Sequence, residues 1–192
     1  STTANEQRVG DLRILSLIDG YATEPAREIL VKPGFPGDPW KAHADLLNEA
    51  GDLVMTMGAY LVETGDRKVL IDAGLGTVDN DKFHGGAMLD SLAAFGLTPA
   101  DVTDIILTHL HFDHVGWCTQ KGEIVFPNAT VRCHSADWAH FMEGPDAAPG
   151  AVRKLAPVTS HLELFDADGT IAPGVDVRHA PGHTPGSVIV VV

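Results

Sequence analysis

The chain has 192 residues, 44% of them hydrophobic and 20% charged, which is enough apolar content for one sizeable core and too much for a disordered segment. Its 26 acidic residues against 13 basic ones give a formal net charge of -13, which disfavours a nucleic-acid partner, because phosphate backbones demand clustered Lys and Arg. The two cysteines, Cys118 and Cys133, make neither a metal-type pair nor a disulfide framework, and no stretch approaches a membrane span. Residues 1–11 lack the apolar core of a signal peptide, so a cytoplasmic setting is the default expectation, one that an already processed chain would share.

In chain order, Ser1 to Gly10 is polar and expected to fray. Leu12 to Ile18 predicts a strand closed by Asp19-Gly20. From Tyr21 to Asp52 there is no period, and prolines and glycines crowd positions 32 to 39; such an irregular stretch serves as a lid or substrate wall, or else covers a sheet edge. Phe35, Trp40 and His43 are its candidate substrate contacts. Leu53 to Glu63 and Lys68 to Ile71 then predict a hairpin turning at 64–67. Thr77 to Gly86 is a polar loop whose His84 reads as a surface group before a substrate contact. Met88, Leu92 and Phe95 stand at helical spacing ahead of Gly96, and Thr98-Pro99 opens a helical turn that leads into the strand at 104–107.

The stretch from Ile105 to Trp117 carries the chemistry: His109, His111, Asp113 and His114 lie within six residues, directly after an apolar run. If the chain stays extended past Thr108, alternate side chains point the same way, so His109, His111 and Asp113 start on one side and two of them can share an ion. A turn at Asp113-His114 would aim both at a second point a few Å away. Neutral imidazole and carboxylate suit zinc, and less selectively iron, manganese or cobalt. Trp117 follows at once, either lining an apolar pocket wall or plugging the core. Beyond it the pattern predicts a hairpin or loop at 118–128, a strand at 129–134, a helix at 135–142, a helical connector at 151–158, and strands at 161–165, 175–179 and 187–192. Cys118, His134, His140 and His161 have no partner at metal spacing, whereas His183 sits on a turn stiffened by Pro and Gly on both sides.

The string at 109–114, together with Ala-Pro-Gly-His-Thr-Pro-Gly at 180–186, resembles the signature of the metallo-β-lactamase superfamily. The resemblance implies an α/β fold, an αββα sandwich of two similar halves with metals at the sheet edges between them. Residues 1–192 are then one domain, with 1–150 as the first half and 151–192 as the start of an incomplete second half. It further implies that His109, His111 and His183 hold one ion and that Asp113 and His114 hold another. Asp72 would lie beneath the site and orient a ligand histidine or its loop. The family's bridging Asp and last His find no counterpart after His183, so the expectation is the N-terminal two-thirds of a longer protein. The implied function is a binuclear hydrolase, most similar to N-acyl homoserine lactonases, in which a hydroxide bridging two divalent ions, zinc foremost, opens a lactone or related ester and Asp113 orients that hydroxide. A phosphotriesterase, a β-lactamase or a thioesterase of the glyoxalase II type are alternatives, as is an inactive metal-binding scaffold or regulatory module. The partner expected is a small-molecule substrate, not nucleic acid or membrane, and a homodimer stays open.

Overall fold

A computed structural model describes residues 5–192 of the chain. Four antiparallel strands open it: β1 (Glu6–Val9), β2 (Leu12–Glu24), β3 (Leu53–Thr64) and β4 (Arg67–Ile71), with helix α1 (Ala26–Ile29) between β2 and β3. The short β5 (Phe83–His84) pairs with the far end of β2, and α2 (Met88–Ala94) leads to β6 (Asp104–Ile106), which lies parallel to β4. After α3 (Phe112–Val115) come the small hairpin β7 (Thr119–Gln120) and β8 (Glu123–Ile124), then β9 (Thr130–His134), α4 (Ser135–Met142), α5 (Pro149–Leu155) and β10 (Leu162–Phe165). The large sheet runs β1-β2-β3-β4-β6-β9-β10, parallel from β4 onward; β11 (Gly169–Ala172), β12 (Val175–His179) and β13 (Val188–Val191) form a second, antiparallel sheet.

The central strands read as unbroken apolar runs because both of their faces are covered. Leu61, Leu70 and Ile105 face one core, which they share with Met88 and Leu92 of α2, Trp138 and Phe141 of α4, and Leu155 of α5. Their neighbours Val62, Val69 and Ile106 face the other way, onto Ala172, Val175 and Val177 of the second sheet. Each such side chain contributes roughly 1.5–3 kcal/mol by leaving water, so a polar residue at any of these positions would cost both layers. The layers are therefore helix, sheet and sheet, three of the four layers of the expected αββα sandwich.

Three expectations need correction, and one strand is new. The terminal segment does not fray throughout: residues 6–9 are β1, while residues 1–4 lie outside the described range. Asp19-Gly20 does not close the first strand. The pairing of β2 with β3 shifts register between Ile18 and Gly20, a bulge that lets the strand run on to Glu24. A side chain at Gly20 would lie 1.6 Å from the His84 carbonyl oxygen, so only glycine lets β5 approach there. Finally, α5 packs on the first core and β10 extends the first sheet, so the second sheet starts at Gly169, not at 151; and β11 is a strand the sequence pattern did not reveal.

Candidate metal centre

The site forms where the parallel strands β4, β6 and β9 end, the usual place for a ligand in such sheets. Past β6 the chain continues through Thr108 and His109 to His111, which precedes the first residue of α3 and is still extended (φ -64°, ψ 156°). The chain then turns helical, so Asp113 leaves the His109–His111 row and lies beside its neighbour, His114 Nε2 and Asp113 Oδ2 being 3.4 Å apart. His183, on the β12–β13 turn of the other sheet, completes a cluster with His109 and His111: one ring nitrogen from each lies within 4.8 Å of the others. His111 Nδ1 and His183 Nε2 are 3.0 Å apart.

These loops are held by contacts that begin with Asp72. It follows β4 with a left-handed backbone (φ 62°), a conformation Asp tolerates better than most residues. Its Oδ1 accepts the Thr108 amide at 2.8 Å, its carboxylate accepts the Thr108 hydroxyl, and its Oδ2 lies 2.8 Å from His114 Nδ1. Asp72 thus fixes both the strand exit and the orientation of the His114 ring. On the other side, the Ala73 amide donates to the His114 carbonyl (2.7 Å), and the amides of Gly116 and Trp117 donate to Gly74 and Ala73. The two segments approach so closely that a Cβ on Gly116 would lie 2.0 Å from the Leu75 carbonyl carbon. The His183 turn is braced by Thr184 and Ser187, whose buried hydroxyls are 2.7 Å apart, and Val188 N donates to the Thr108 carbonyl (2.9 Å), tying the second sheet to the first.

The electrostatics split the histidines into two groups. Burial, reinforced by the charge of His114, pushes His109 down to about 4, and burial with His183 beside it lowers His111 as well. Both rings are neutral at pH 7 and offer lone pairs. For His114, burial works against charge, but hydrogen bonds to Asp113 and Asp72 outweigh it and raise the imidazole to about 10. Burial likewise opposes ionisation of Asp113, yet the hydrogen bond with His114 keeps it below the usual carboxylate range. His109 Nε2 is buried with no hydrogen-bond partner. A buried neutral imidazole nitrogen facing two others is costly as an empty polar group and fits a coordinated ion. Nitrogens about 2.0–2.1 Å from a tetrahedral zinc would stand roughly 3.3 Å apart, a spacing that lies within the span of this cluster.

Other residues singled out from the sequence sit elsewhere. Trp117 is only 5% exposed, belongs to the large core and donates its indole N–H to Asp19 at 2.9 Å; it plugs the core and is not in the wall of the cavity that reaches the site. Phe35 and Trp40 line an open cleft of about 530 Å³ whose wall comes from residues 27–40, with none of the cluster residues in it. The segment closes on itself because Arg27 pairs with Asp38 at 2.8 Å and Asp38 also caps the Trp40 amide. His43 packs edge-on to Trp40, and His84 stacks on Tyr21 and meets Asp79 at 2.8 Å. Burial pushes the Cys118 thiol up to about 12, too high for a ready metal ligand. A second cavity, about 390 Å³, does reach the site, with Ser16, Tyr60, Asp72, Thr108 and His114 in its wall.

Two features escaped the sequence reading. Phe112, between His111 and Asp113, is 46% exposed and meets Phe83 edge-on, an apolar surface beside the cluster. Asp19, turned inward by the bulge and fully buried, accepts the amides of Leu75, Gly76, Gly86 and Met88 besides the Trp117 indole, and so organises the loops under α3. A charged residue inside an apolar alternation was the available signal.

An α/β sandwich that gathers four imidazoles and two carboxylates where its two sheets meet has the architecture of a metal-binding fold. Residues 59–192 match the family model of the metallo-beta-lactamase superfamily, and the chain belongs to that superfamily. It is 27% identical over 154 residues to an N-acyl homoserine lactonase of Bacillus sp, covering 71% of this chain and 58% of that relative; the chain thus spans less than two thirds of the relative's length. The crystal structure of the hydrolase AbOPH, of the beta lactamase superfamily, superposes with a TM-score of 0.77 at 27% identity, over 96% of this chain and 67% of that one. AidC, a dizinc quorum-quenching lactonase solved with a product, superposes with a TM-score of 0.75 at 24% identity, over 97% and 69% of the two chains, a likeness of fold. No helix among the described residues is long and apolar enough to cross a membrane.

Proposed function

We propose that this chain supplies the metal site of a hydrolase that opens a lactone or cleaves a related small ester. His109, His111 and His183 hold one divalent ion, zinc foremost, and Asp113 and His114 give two donors to a second, His114 only once that ion displaces its Nε2 proton to solvent. The observation that carries the reading is the orphaned, neutral His109 Nε2 within a three-imidazole cluster assembled from two sheets. A divalent ion bound there supplies Lewis acidity, which makes water nucleophilic near neutral pH and polarises the bond under attack. The chain's own groups do the rest. Asp113, kept charged by His114, accepts a hydrogen bond from the attacking water and orients it. Asp72 takes up the other side of the His114 ring and prevents it from swinging away. Phe112 and Phe83 offer an apolar rest for a substrate's acyl portion. The relation to lactonases supports the ester or lactone class, and the net charge of -13 disfavours a polyanionic substrate.

The test is metal content and turnover on one preparation. The purified protein is expected to retain zinc, to open lactones in preference to phosphotriesters or thioesters, and to lose that activity on chelation and regain it on adding zinc back. Asp113→Asn should keep the first equivalent of metal yet slow turnover by about 10²–10⁴, the usual weight of a proton-handling group. A protein that takes up no metal at micromolar zinc overturns the proposal. One that binds metal but turns over nothing in the panel is a binding or regulatory scaffold instead.

A further inference from the structure

We propose that Asp137 is a positioning residue, a clamp that presets the distance between the two metal-bearing loops so that the three imidazoles meet before an ion arrives. The inference rests on the reading of His109, His111 and His183 as a metal site and adds to it the device that builds the site. Asp137 stands in the first turn of α4 and is fully buried. Its Oδ2 accepts the amide of Leu110, the residue between His109 and His111, at 3.1 Å. Its Oδ1 accepts the amide of Gly186, three residues past His183, at 2.6 Å. The first loop leaves the large sheet and the second joins two strands of the small one, so a single carboxylate bridges elements that share no strand pairing.

The chemistry explains why the group is a carboxylate. Two N–H donors converge on it from different directions, and only a side chain with two acceptor oxygens and no donor satisfies both. An amide of the same shape would set its NH₂ against one of the two donors. Gly186 belongs to the same device: a Cβ there would lie 2.5 Å from the Asp137 amide nitrogen and 3.0 Å from Oδ1, so the loop reaches the carboxylate only without a side chain. One turn farther along α4, Phe141 packs edge-on against the His111 ring with centroids 5.2 Å apart. The helix thus touches the first loop at the backbone and at the imidazole, and the second loop at the backbone. None of the three histidines contacts Asp137 through a hydrogen bond; it acts on them through the chain segments that carry them.

The experiment measures zinc affinity by competition with a chromophoric chelator, well below the unfolding temperature of each variant, and the visible absorption band of the cobalt(II) form. Asp137→Asn is expected to weaken binding of the first zinc about 10- to 100-fold, the usual effect of disturbing groups behind metal ligands, and to alter the cobalt band. Gly186→Ala attacks the clamp from the other side and is expected to do the same, which keeps the test open if one of the two does not fold. Leu155→Ala, a fully buried core truncation in the neighbouring helix α5, should lower thermal stability while leaving zinc affinity and the cobalt band unchanged. Folded Asp137→Asn and Gly186→Ala proteins that bind zinc within about twofold of the parent, with its cobalt spectrum, overturn the clamp. A parent protein that takes up no zinc overturns the metal reading itself, and the clamp with it.

Discussion

Asp19→Asn changes one atom of a side chain that no solvent reaches, and its cost follows from counting donors. Oδ2 accepts the amides of Leu75 (2.7 Å) and Gly76 (3.1 Å), while Oδ1 accepts those of Gly86 and Met88 and the Trp117 indole. An asparagine in the same rotamer keeps one oxygen and presents NH₂ at the other end. Whichever way the amide is flipped, at least two buried N–H groups face a donor. A buried donor left unpaired costs roughly 1–3 kcal/mol, so the substitution should destabilise by about 2–6 kcal/mol. For a protein of this size, 1 kcal/mol shifts the melting midpoint by roughly 2–4 °C, which gives a fall on the order of 5–20 °C. Thermal melts followed by circular dichroism supply the number. Tryptophan emission supplies the cause, because Trp117 loses the acceptor of its indole N–H while Trp40 and Trp138 have no hydrogen bond to Asp19. A midpoint within 2 °C of the parent, with unchanged emission, would refute the view that this carboxylate organises the loops.

Glycine substitutions should divide cleanly. Gly116→Ala drives a methyl into the backbone of Leu75 and is expected to give little soluble folded protein, whereas Gly150→Ala in α5 meets nothing within 4 Å and should stabilise by about 0.5–1 kcal/mol in urea titrations. A pH effect is expected at Asp104, which is buried; burial alone would raise its carboxyl, but hydrogen bonds from Arg67, Thr103 and Arg132 prevail and hold it below the usual range. A carboxylate depressed on folding stabilises fully above its unfolded value of about 4, and that contribution is lost as pH falls through the folded value. The stability gap between the parent and Asp104→Asn should therefore be wide at pH 7 and shrink below pH 4; a gap that is flat from pH 7 to 3 contradicts the assignment. Trp40→Ala should leave zinc affinity unchanged, since its cleft excludes the cluster; a tenfold loss would show that the segment reaches the site.

What could be seen in the sequence was what depends on neighbours. The helical turn opened by Thr98 and Pro99, the stop at Gly96 and the strand runs expected at 53–63 and 68–71 are local effects, and the structure places them within a residue or two of expectation. The histidine string was legible because six adjacent residues carry it. Asp137 was not, because its acceptors serve residues 27 and 49 positions away, and within an amphipathic helix a lone acid looks like a solvated one. Trp117 had two readings because an indole suits a pocket wall and a core equally; what decided between them was an acceptor 98 residues earlier. The irregular stretch from Tyr21 to Asp52 read as a lid or wall, or else as a cover for a sheet edge, because composition reports a loop but not where it folds, and here an Arg27–Asp38 pair turns residues 27–40 upon themselves.

Strand β2 contains one residue more than its pairing needs. The buried positions before the bulge are 15, 17 and 19, and those after it are 22 and 24, so two odd-even phases meet at Gly20. Loss of a single codon at Ile18 would restore unbroken alternation, with Leu15, Leu17, Ala22 and Glu24 still facing inward and only Asp19 turned out to the opposite side. By every measure of hydrophobic pattern such a deletion improves the strand. It would nonetheless empty the socket beneath the histidine helix, so drift in the length of this strand is constrained by the site it supports and not by the sheet it belongs to.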